Sequence, residues 1–222
     1  MKETQLLQEK AYDYLIHLIK NGELKPDVIY SLNKMSKNAN FSKTPFRDAV
    51  LRLEQERYLD ILPSKGFVLH KMTREDITET YQIRSAIELY CLKQLSLQLD
   101  TARGQKYFQK LLSKVKKQKE IAMSGGNTED FARKDYEFHR SMVQFVGNHS
   151  MLEMYRRFMY RIFWLNVTSF SRMGRLREAM EEHEYFLELL KKHDLSELEI
   201  KLDQHLSIAQ NINLTLLEQY ES

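Results

Sequence analysis

The sequence contains a single cysteine, Cys91, and its first residues form no long apolar run. One cysteine excludes an internal disulfide, which fits a chain that works in a reducing compartment. Glu3, Glu9 and Asp13 interrupt the apolar residues near the N-terminus, so that segment has neither the core of a secretion signal nor a membrane span. We therefore expect a soluble cytoplasmic protein without a membrane partner.

Proline is also scarce, and its three residues, Pro26, Pro45 and Pro63, all lie in the first third of the chain. Charge is distributed just as unevenly. Residues 1–72 hold 12 Lys and Arg against 9 Asp and Glu, and residues 73–222 hold 22 of each, so the net charge of +3 belongs to the first third. These shifts predict a domain boundary near residue 72, with one domain over 1–72 and another over 73–222.

The first domain shows the element order of a winged helix-turn-helix. Apolar residues recur at helical spacing over residues 4–20, and a short polar segment at 31–38 favours a second helix. The stretch FSKTPFRDAVLRLEQE predicts a third helix, with Ser42 or Thr44 as its N-cap ahead of Pro45. Two short apolar runs, YLDIL and FVLH, then flank PSKG, which is typical of a β-hairpin.

The start of the third helix carries residues that suit DNA recognition. The N-terminal residues of a recognition helix enter the major groove, where hydroxyl and cationic side chains reach bases and phosphates. Lys43 and Arg47 have that position, and Arg47 can pair bidentately with guanine. Lys65 beside Gly66 suits a wing tip that touches phosphate. The alternative is a capped surface helix with scattered basic residues, because a charge of +3 is modest.

From Arg74 onward the pattern predicts an all-helical bundle. Glycines lie at or near the breaks between its apolar repeats. The predicted helices cover about six segments, 74–99, 101–123, 128–147, 149–171, 175–193 and 195–219. The expected fold class is therefore mainly α, with an N-terminal winged helix-turn-helix followed by an all-α helical bundle.

Histidine occurs at core positions in three of these helices. Asp135 and His139 fall on the apolar stripe of the 128–147 helix, and His183 and His205 fall on the apolar stripes of their own helices. A lone histidine on such a stripe is usually a satisfied core residue. An aspartate and three histidines on three helices instead favour convergence on one site. This ligand set suits zinc first, and also nickel, iron or manganese.

Arg84 is the candidate residue for holding an effector. Its helix places Arg84 on the same side as Ile77, Tyr81 and Cys91, so the guanidinium can face the interior and hold a carboxylate bidentately. The alternative is an ion pair between Arg84 and Glu88, which lie four residues apart on one helical face. The pattern does not decide between these two roles.

The run FSKTPFRDAVLRLEQERYLDILPSKGFVLHKM resembles the winged helix of GntR-type bacterial transcription regulators. That family usually carries a Ser-Arg-Thr-Pro-hydrophobic-Arg-Glu-Ala-Leu core, then Leu-Glu and a Pro-x-x-Gly wing. Lys43 departs from the usual arginine and lacks its planar fork, and Asn40 stands where the family turns on glycine. The DNA contacts that the resemblance implies are Ser42, Lys43, Thr44, Pro45, Arg47, Lys65 and Gly66.

The second domain resembles the ligand-binding domain of the FadR-type branch of these regulators, often called FCD. Many members carry an Asp-x-x-x-His helix, a Glu-His helix and a histidine in the last helix. This chain has Asp135 with His139, Glu182 with His183, and LDQHL with His205. The resemblance implies a divalent metal held by Asp135, His139, His183 and His205, with a small organic acid bound beside it.

The expected function is a metabolite-responsive transcription regulator, first of all a repressor, in which a carboxylate effector controls the binding of a homodimer to a palindromic operator. A metal-dependent hydrolase is one alternative, since an open metal site can activate water. We expect no enzyme, because no further buried acid or base is clearly placed for proton transfer and a DNA reader has no role in hydrolysis. A metal-free regulator that senses an acyl chain is the other alternative.

Overall fold

The computed structural model of the protein describes residues 2–221. Outside that description are the side chains of residues 2–5, 20, 159, 160, 162, 164, 220 and 221. Within the described range the chain forms ten helices and one two-stranded hairpin, which confirms the mainly α fold class. The chain divides into two compact units, Met1–Met72 and Thr73–Ser222. Among residues 2–221, no helix is both long and apolar enough to cross a membrane.

The N-terminal unit contains three helices followed by a hairpin, in the predicted order. Its elements are α1 (Lys2–Lys20), α2 (Leu32–Asn38), α3 (Lys43–Gln55), β1 (Leu59–Leu62) and β2 (Gly66–Leu69). The two strands pair antiparallel, and the backbone of Tyr30 forms a bridge with Phe67 at the edge of the hairpin. Gly66 has φ +140°, and a Cβ at this position would lie 2.1 Å from the carbonyl oxygen of Tyr30. Glycine is therefore required for this close approach.

Helix α3 begins where the capping pattern predicts. Ser42 occupies the N-cap position with an extended backbone, and Pro45 lies in the first turn, where its missing N–H loses no intrahelical partner. The helix packs against α1 and buries Phe46, Val50 and Leu53 completely. Burial of each such side chain stabilises the fold by about 1.5–3 kcal/mol.

The C-terminal unit is a bundle in which α6 lies between several neighbours. Its helices are α4 (Arg74–Leu97), α5 (Ala102–Met123), α6 (Thr128–Val146), α7 (His149–Arg157), α8 (Met159–Phe170), α9 (Arg175–Lys192) and α10 (Leu195–Glu221). Helix α6 packs against α4, α5, α7 and α8, and α10 packs against α4, α8 and α9. This arrangement brings the inner faces of α4, α6, α9 and α10 together.

The structure corrects one predicted helix. The single helix expected over 149–171 is two helices, α7 and α8, which are separated by a turn at Phe158. Neither glycine nor proline marks this break, so the sequence pattern runs through it. The two pieces each supply a buried polar contact, since Tyr155 of α7 donates a hydrogen bond to Glu88 and Asn166 of α8 donates one to Asp135.

Helices α4 and α10 run antiparallel, and their register positions the site. Arg74 of α4 pairs with Glu218 of α10. About two turns further along α4, the hydroxyl of Tyr81 accepts a hydrogen bond from Asn213 of α10 at 3.1 Å. Because the two helices are antiparallel, each step forward along α4 corresponds to a step backward along α10. The register of these two contacts therefore places Glu88 of α4 near His205 of α10.

Candidate metal centre

The four residues that the sequence singles out as metal ligands lie together in the core of the C-terminal unit. Asp135 and His139 come from α6, His183 from α9 and His205 from α10. One ligand atom from each residue lies within 4.8 Å of the corresponding atoms of the other three. All four side chains are buried. The surface ion pair that a four-residue spacing also permits is therefore not what Asp135 and His139 form.

The atoms that face one another are imidazole Nε2 atoms and one carboxylate oxygen. Nε2 of His139 lies 3.7 Å from Oδ1 of Asp135, and Nε2 of His183 lies 3.6 Å from the same oxygen. The two Nε2 atoms are 3.2 Å apart. The ring of His205 closes the group, with its centroid 4.8 Å from that of His183.

Each histidine is oriented from behind by a polar residue at its Nδ1 atom. Nδ1 of His139 lies 2.7 Å from a carboxylate oxygen of Glu88, and Nδ1 of His183 lies 2.9 Å from the side-chain oxygen of Gln118. Nδ1 of His205 bonds to the carboxylate of Glu182. Acceptors at Nδ1 favour a proton on that nitrogen and leave the lone pair of Nε2 directed inward, which is the arrangement found around metal-bound histidines.

The residues present fit a divalent cation. Asn166 donates a hydrogen bond to Oδ2 of Asp135, but Oδ1 is buried and has no hydrogen-bond partner among the side chains that the structure describes. An unpaired buried carboxylate oxygen costs several kcal/mol. The Nε2 atoms of His139 and His183 lie 3.2 Å apart, close enough for one ion to contact both once His139 gives up its proton. Three imidazoles and one carboxylate are ligands of zinc and of related divalent metals.

The protonation of the cluster is uneven. Burial disfavours the charged forms of His183 and His205 and places the pKa of each below its ordinary value. Burial acts the same way on His139, but Glu88 and Asp135 outweigh it and raise the pKa of His139 to about 9. At neutral pH, two histidines are therefore neutral and able to ligate, and His139 carries the proton that metal binding would displace.

In the metal-free protein, the free energy of unfolding is expected to fall as the pH rises from 6.5 to about 9. The folded-state pKa of His139 is raised, so its stabilising effect is complete below the unfolded value and disappears as the pH passes the folded value. His183 and His205 have lowered pKa values and act below pH 6.5, outside this window.

Urea titrations across that pH range measure the effect. Saturating zinc should remove the decline, because His139 is then neutral throughout, and His139→Gln should remove it as well. A decline of equal size in His139→Gln would assign it to another group.

Arg84 satisfies one of its two predicted roles and retains capacity for the other. Its Nε donates to Glu88 at 2.9 Å, so the ion pair exists, and its Nη1 donates to Asn166 at 3.3 Å. Nη2 is buried and has no partner among the described residues. The side chain is only 2% exposed. Through Asn166, Arg84 is linked to Asp135, so its free N–H group lies close to the candidate metal ligands.

Two further buried residues belong to this network and were not singled out from the sequence. Asn166 bridges Arg84 and Asp135, as described above, although it lies in the apolar run RIFWLNVTSF, where it is the main polar interruption. Arg175 is fully buried and donates from Nη1 and Nη2 to Glu182 at 2.6 and 2.8 Å. Its position seven residues before Glu182, on one helical face, was the available sequence signal.

The residues expected at the DNA surface occupy the beginning of α3 and the hairpin turn. Ser42, Lys43, Thr44 and Arg47 are exposed, as is Lys65. Two of the expected residues also have structural roles. Pro45 is buried, so its ring lies in the core of the unit, away from the exposed surface. Gly66, as noted above, allows the hairpin to approach Tyr30. Asn40 has φ +55°, which is the left-handed conformation. Asparagine tolerates this conformation better than most residues, so it can stand where the family has glycine.

A winged helix-turn-helix unit followed by a helical unit with a buried cluster of candidate metal ligands is the organisation of a DNA-binding transcription regulator. A family model for the FCD domain matches residues 79–207, which is more than half of the chain. The chain therefore belongs to the FCD-domain family of GntR-type transcription regulators. Regulators of this family bind DNA.

Known proteins of this kind are similar along most of the chain. The HTH-type transcriptional regulator YdhC of Bacillus subtilis is 26% identical over 183 residues, which cover 82% of this chain and 79% of that protein. The structure of Escherichia coli McbR/YncC matches with a TM-score of 0.72 at 22% identity, covering 96% of this chain and 98% of that one. The metal-free FCD domain of TM0439 matches 68% of this chain with a TM-score of 0.57 at 20% identity.

The relatives also bear on whether the protein is an enzyme. The relatives are named as transcriptional regulators, and three of them, one from Bacillus licheniformis and two from Escherichia coli, are named as repressors. This supports a regulator without enzymatic activity over the hydrolase alternative.

Proposed function

We propose that the protein is a repressor that binds a divalent metal, with zinc as the first candidate. It releases its operator when a small organic acid binds beside the metal. In this proposal the N-terminal unit reads DNA and the C-terminal unit, over residues 73–222, holds the metal and effector and forms the homodimer. The protein acts in the cytoplasm. The observation that carries the proposal is the buried cluster in which an unpaired oxygen of Asp135 faces inward-directed imidazole nitrogens.

The residues that would hold the metal are Asp135, His139, His183 and His205. A metal that accepts five or six bonds would supply, beside these four ligands, an open position for a carboxylate oxygen. The outer partners Glu88, Gln118 and Glu182 orient the imidazoles for this role. That one solved FCD domain is described as metal-free is consistent with a domain that also exists in a metal-bound form.

The charge of the buried groups supports an anionic effector. Arg84 with Glu88 and Arg175 with Glu182 are neutral pairs. A divalent cation beside the single charge of Asp135 leaves one positive charge among buried side chains, and buried charge is costly unless it is paired. One effector carboxylate neutralises it, and the free Nη2 of Arg84 can donate to that carboxylate.

The DNA-facing part of the proposal rests on α3. Ser42, Lys43, Thr44 and Arg47 present hydroxyl and cationic groups at its exposed N-terminal end, and Lys65 does so at the hairpin turn. In a homodimer, two such helices would enter successive major grooves of a palindromic operator. The effector can change operator affinity only if it binds the two conformations of the dimer with different affinities.

Arg84→Lys is expected to weaken binding of the effector acid by about 10–100-fold while metal stoichiometry stays at the wild-type level, because lysine keeps the charge beside Glu88 but lacks the second N–H arm. The measurement is a thermal-shift titration with whichever small carboxylic acid gives the largest shift in the wild-type protein loaded with zinc.

Arg156→Lys serves as the matched control, because Arg156 is exposed on α7. An undiminished shift in Arg84→Lys would remove Arg84 from the effector site and leave only its pairing with Glu88.

A further inference from the structure

A groove on the surface of the C-terminal unit reaches the wall of the candidate metal centre. It lies between α9 and α10, opens to solvent and has a volume of about 410 Å³. Phe186 of α9 and His205 and Ile208 of α10 are among the residues that line this α9–α10 groove. His205 is therefore both a candidate metal ligand and part of a solvent-facing wall. Two other grooves on the unit, one along the first turns of α4 and one between the end of α8 and α10, are lined by none of the four candidate ligands.

A single layer of side chains separates the α9–α10 groove from the centre. Phe186 lines the groove and also packs against two of the ligand histidines, with its ring centroid 5.7 Å from that of His183 and 5.5 Å from that of His205. The ring centroid of His205 in turn lies 5.2 Å from that of His139. Phe186 is 1% exposed and His205 is 4% exposed, so the layer is closed, but it is one side chain thick.

The charged groups of the groove suit an incoming cation. Three carboxylates and one ammonium group line it, on Glu181, Glu182, Glu197 and Lys201. Glu181 pairs with Arg177, and Glu197 pairs with Lys201. A third or more of each of these side chains is exposed, so water screens both pairs and a divalent cation can displace the paired cation. Glu182 also bonds to His205, and its side chain is 24% exposed, so one carboxylate extends from the groove to a candidate ligand.

We propose that the α9–α10 groove is the route by which a divalent ion enters and leaves the centre of the folded protein, and that Phe186 and His205 form the barrier on this route. This inference rests on the proposed function, because it takes the four-residue cluster to be a metal centre. Rotation of these two side chains would open the layer without separating α9 from α10, and such motions are far more frequent than the unfolding of a helix. The protein would therefore acquire its metal after folding and exchange it with the surrounding solution.

Substitution of Ile208 tests the route, because Ile208 lines the groove, is 39% exposed and is neither a candidate ligand nor an outer partner of one. Ile208→Trp should slow both uptake and release of zinc by about tenfold, and Ile208→Ala should speed up both by about threefold, since a change in barrier height acts equally in the two directions. The zinc dissociation constant should stay within about twofold of the wild-type value, because it is the ratio of these two rates. Stopped-flow mixing of metal-free protein with zinc, and of zinc-loaded protein with a chelating dye, measures the two rates.

Ile200 provides the matched control for Ile208. It is an isoleucine of the same helix, is 51% exposed and does not line the groove. Ile200→Trp and Ile200→Ala should exchange zinc at wild-type rates. Wild-type rates in both Ile208 variants, or equal changes at the two positions, would overturn the route.

Two phenylalanines that pack against His183 test the barrier. Phe186 lines the groove, whereas Phe138, whose ring centroid lies 4.3 Å from that of His183, does not. Both are 1% exposed. Phe186→Leu should raise the two exchange rates at least about threefold more than Phe138→Leu does, because only the first substitution thins the layer that faces the groove. Equal acceleration in the two variants would assign the effect to loosened packing and overturn the barrier.

Urea separates this route from entry by local unfolding. Concentrations below the unfolding transition should change the zinc-uptake rate of the wild type by less than about twofold, because rotation of two side chains exposes little new surface. An uptake rate that rises steeply with urea would show that helices must unfold to admit the ion, and the route would be wrong.

Metal content distinguishes this inference from the proposed function. If the wild-type protein binds no zinc, the proposed function fails, and the route fails with it. If zinc binds but its exchange does not respond to substitution of Ile208, the route is wrong and the metal centre stands.

Discussion

Replacing His183 with alanine is expected to lower the metal content of the protein from about one divalent ion per chain to nearly none. The Nε2 of His183 lies 3.6 Å from Asp135 and 3.2 Å from His139, so its loss opens one side of a four-ligand cluster. The melting temperature in excess zinc should fall to that of the same variant with chelator, because only an ion bound to the native state raises it. Elemental analysis of dialysed protein measures the content directly.

Two further variants test whether the loss of metal is specific to the cluster: one should weaken zinc binding partly, and the other should leave it unchanged. Gln118 contacts the outer nitrogen of His183, so Gln118→Leu should weaken zinc affinity by about 10–100-fold and preserve full occupancy at saturating zinc. His193→Ala is the matched control, since His193 ends the same helix and is 48% exposed. It should bind zinc as the wild type does. Wild-type metal content in His183→Ala would show that the cluster is only a packed group of core histidines.

Replacing Arg47 with alanine is expected to reduce operator affinity by about a hundredfold or more while leaving metal content unchanged. A bidentate contact from arginine to guanine contributes about 1–3 kcal/mol, and a homodimer would make that contact in both half-sites. Arg47 is exposed in the first turns of α3, so its removal disturbs no buried contact of the N-terminal unit. Fluorescence anisotropy with an operator selected from random-sequence DNA measures the loss.

The lysine variant at the same position tests the origin of the effect. Arg47→Lys keeps the positive charge and lacks the planar fork, so it should retain salt-sensitive binding to any DNA and lose preference for the operator. Lys25→Ala, at an exposed position elsewhere in the unit, is the control. Operator affinity equal to that of the wild type in Arg47→Ala would refute the assignment of α3 as the recognition helix.

The four candidate metal ligands could be found from the sequence because each occupies a position on an apolar stripe. A charged or titratable residue on such a stripe must be satisfied inside the fold, and Asp135, His139, His183 and His205 are all buried in the structure. Helical periodicity therefore identified the buried face of each helix. It also gave the Arg84–Glu88 pair as one of two alternative roles for Arg84, because their four-residue spacing is a local property of α4.

What periodicity could not supply is the register between helices. Gln118 on α5 lies behind His183, and Asn166 on α8 lies between Arg84 and Asp135, because of how separate helices pack. The same limit applies to Asn213, whose partner Tyr81 is 132 residues away. The break at Phe158 was missed for a different reason, since no glycine, proline or cap residue marks it.

In the N-terminal unit, local sequence patterns predicted the order of all the elements, whereas the individual DNA contacts stay predictions. The cap at Ser42 and the hairpin depend on neighbouring residues and follow the sequence. The family pattern includes Pro45 and Gly66, and the structure gives both of them backbone or core roles. A motif thus combines residues that shape the recognition helix with residues that present exposed side chains to DNA.

The most direct test of the account is a thermal-shift screen of small carboxylic acids against the wild-type protein, run in parallel with saturating zinc and with chelator. If the metal and the acid share one site, acids that raise the melting temperature should do so in the zinc-loaded protein, and the increase should grow with acid concentration. The same acids should give no increase in the chelator-treated protein. Equal increases in both preparations would contradict a metal-dependent effector site.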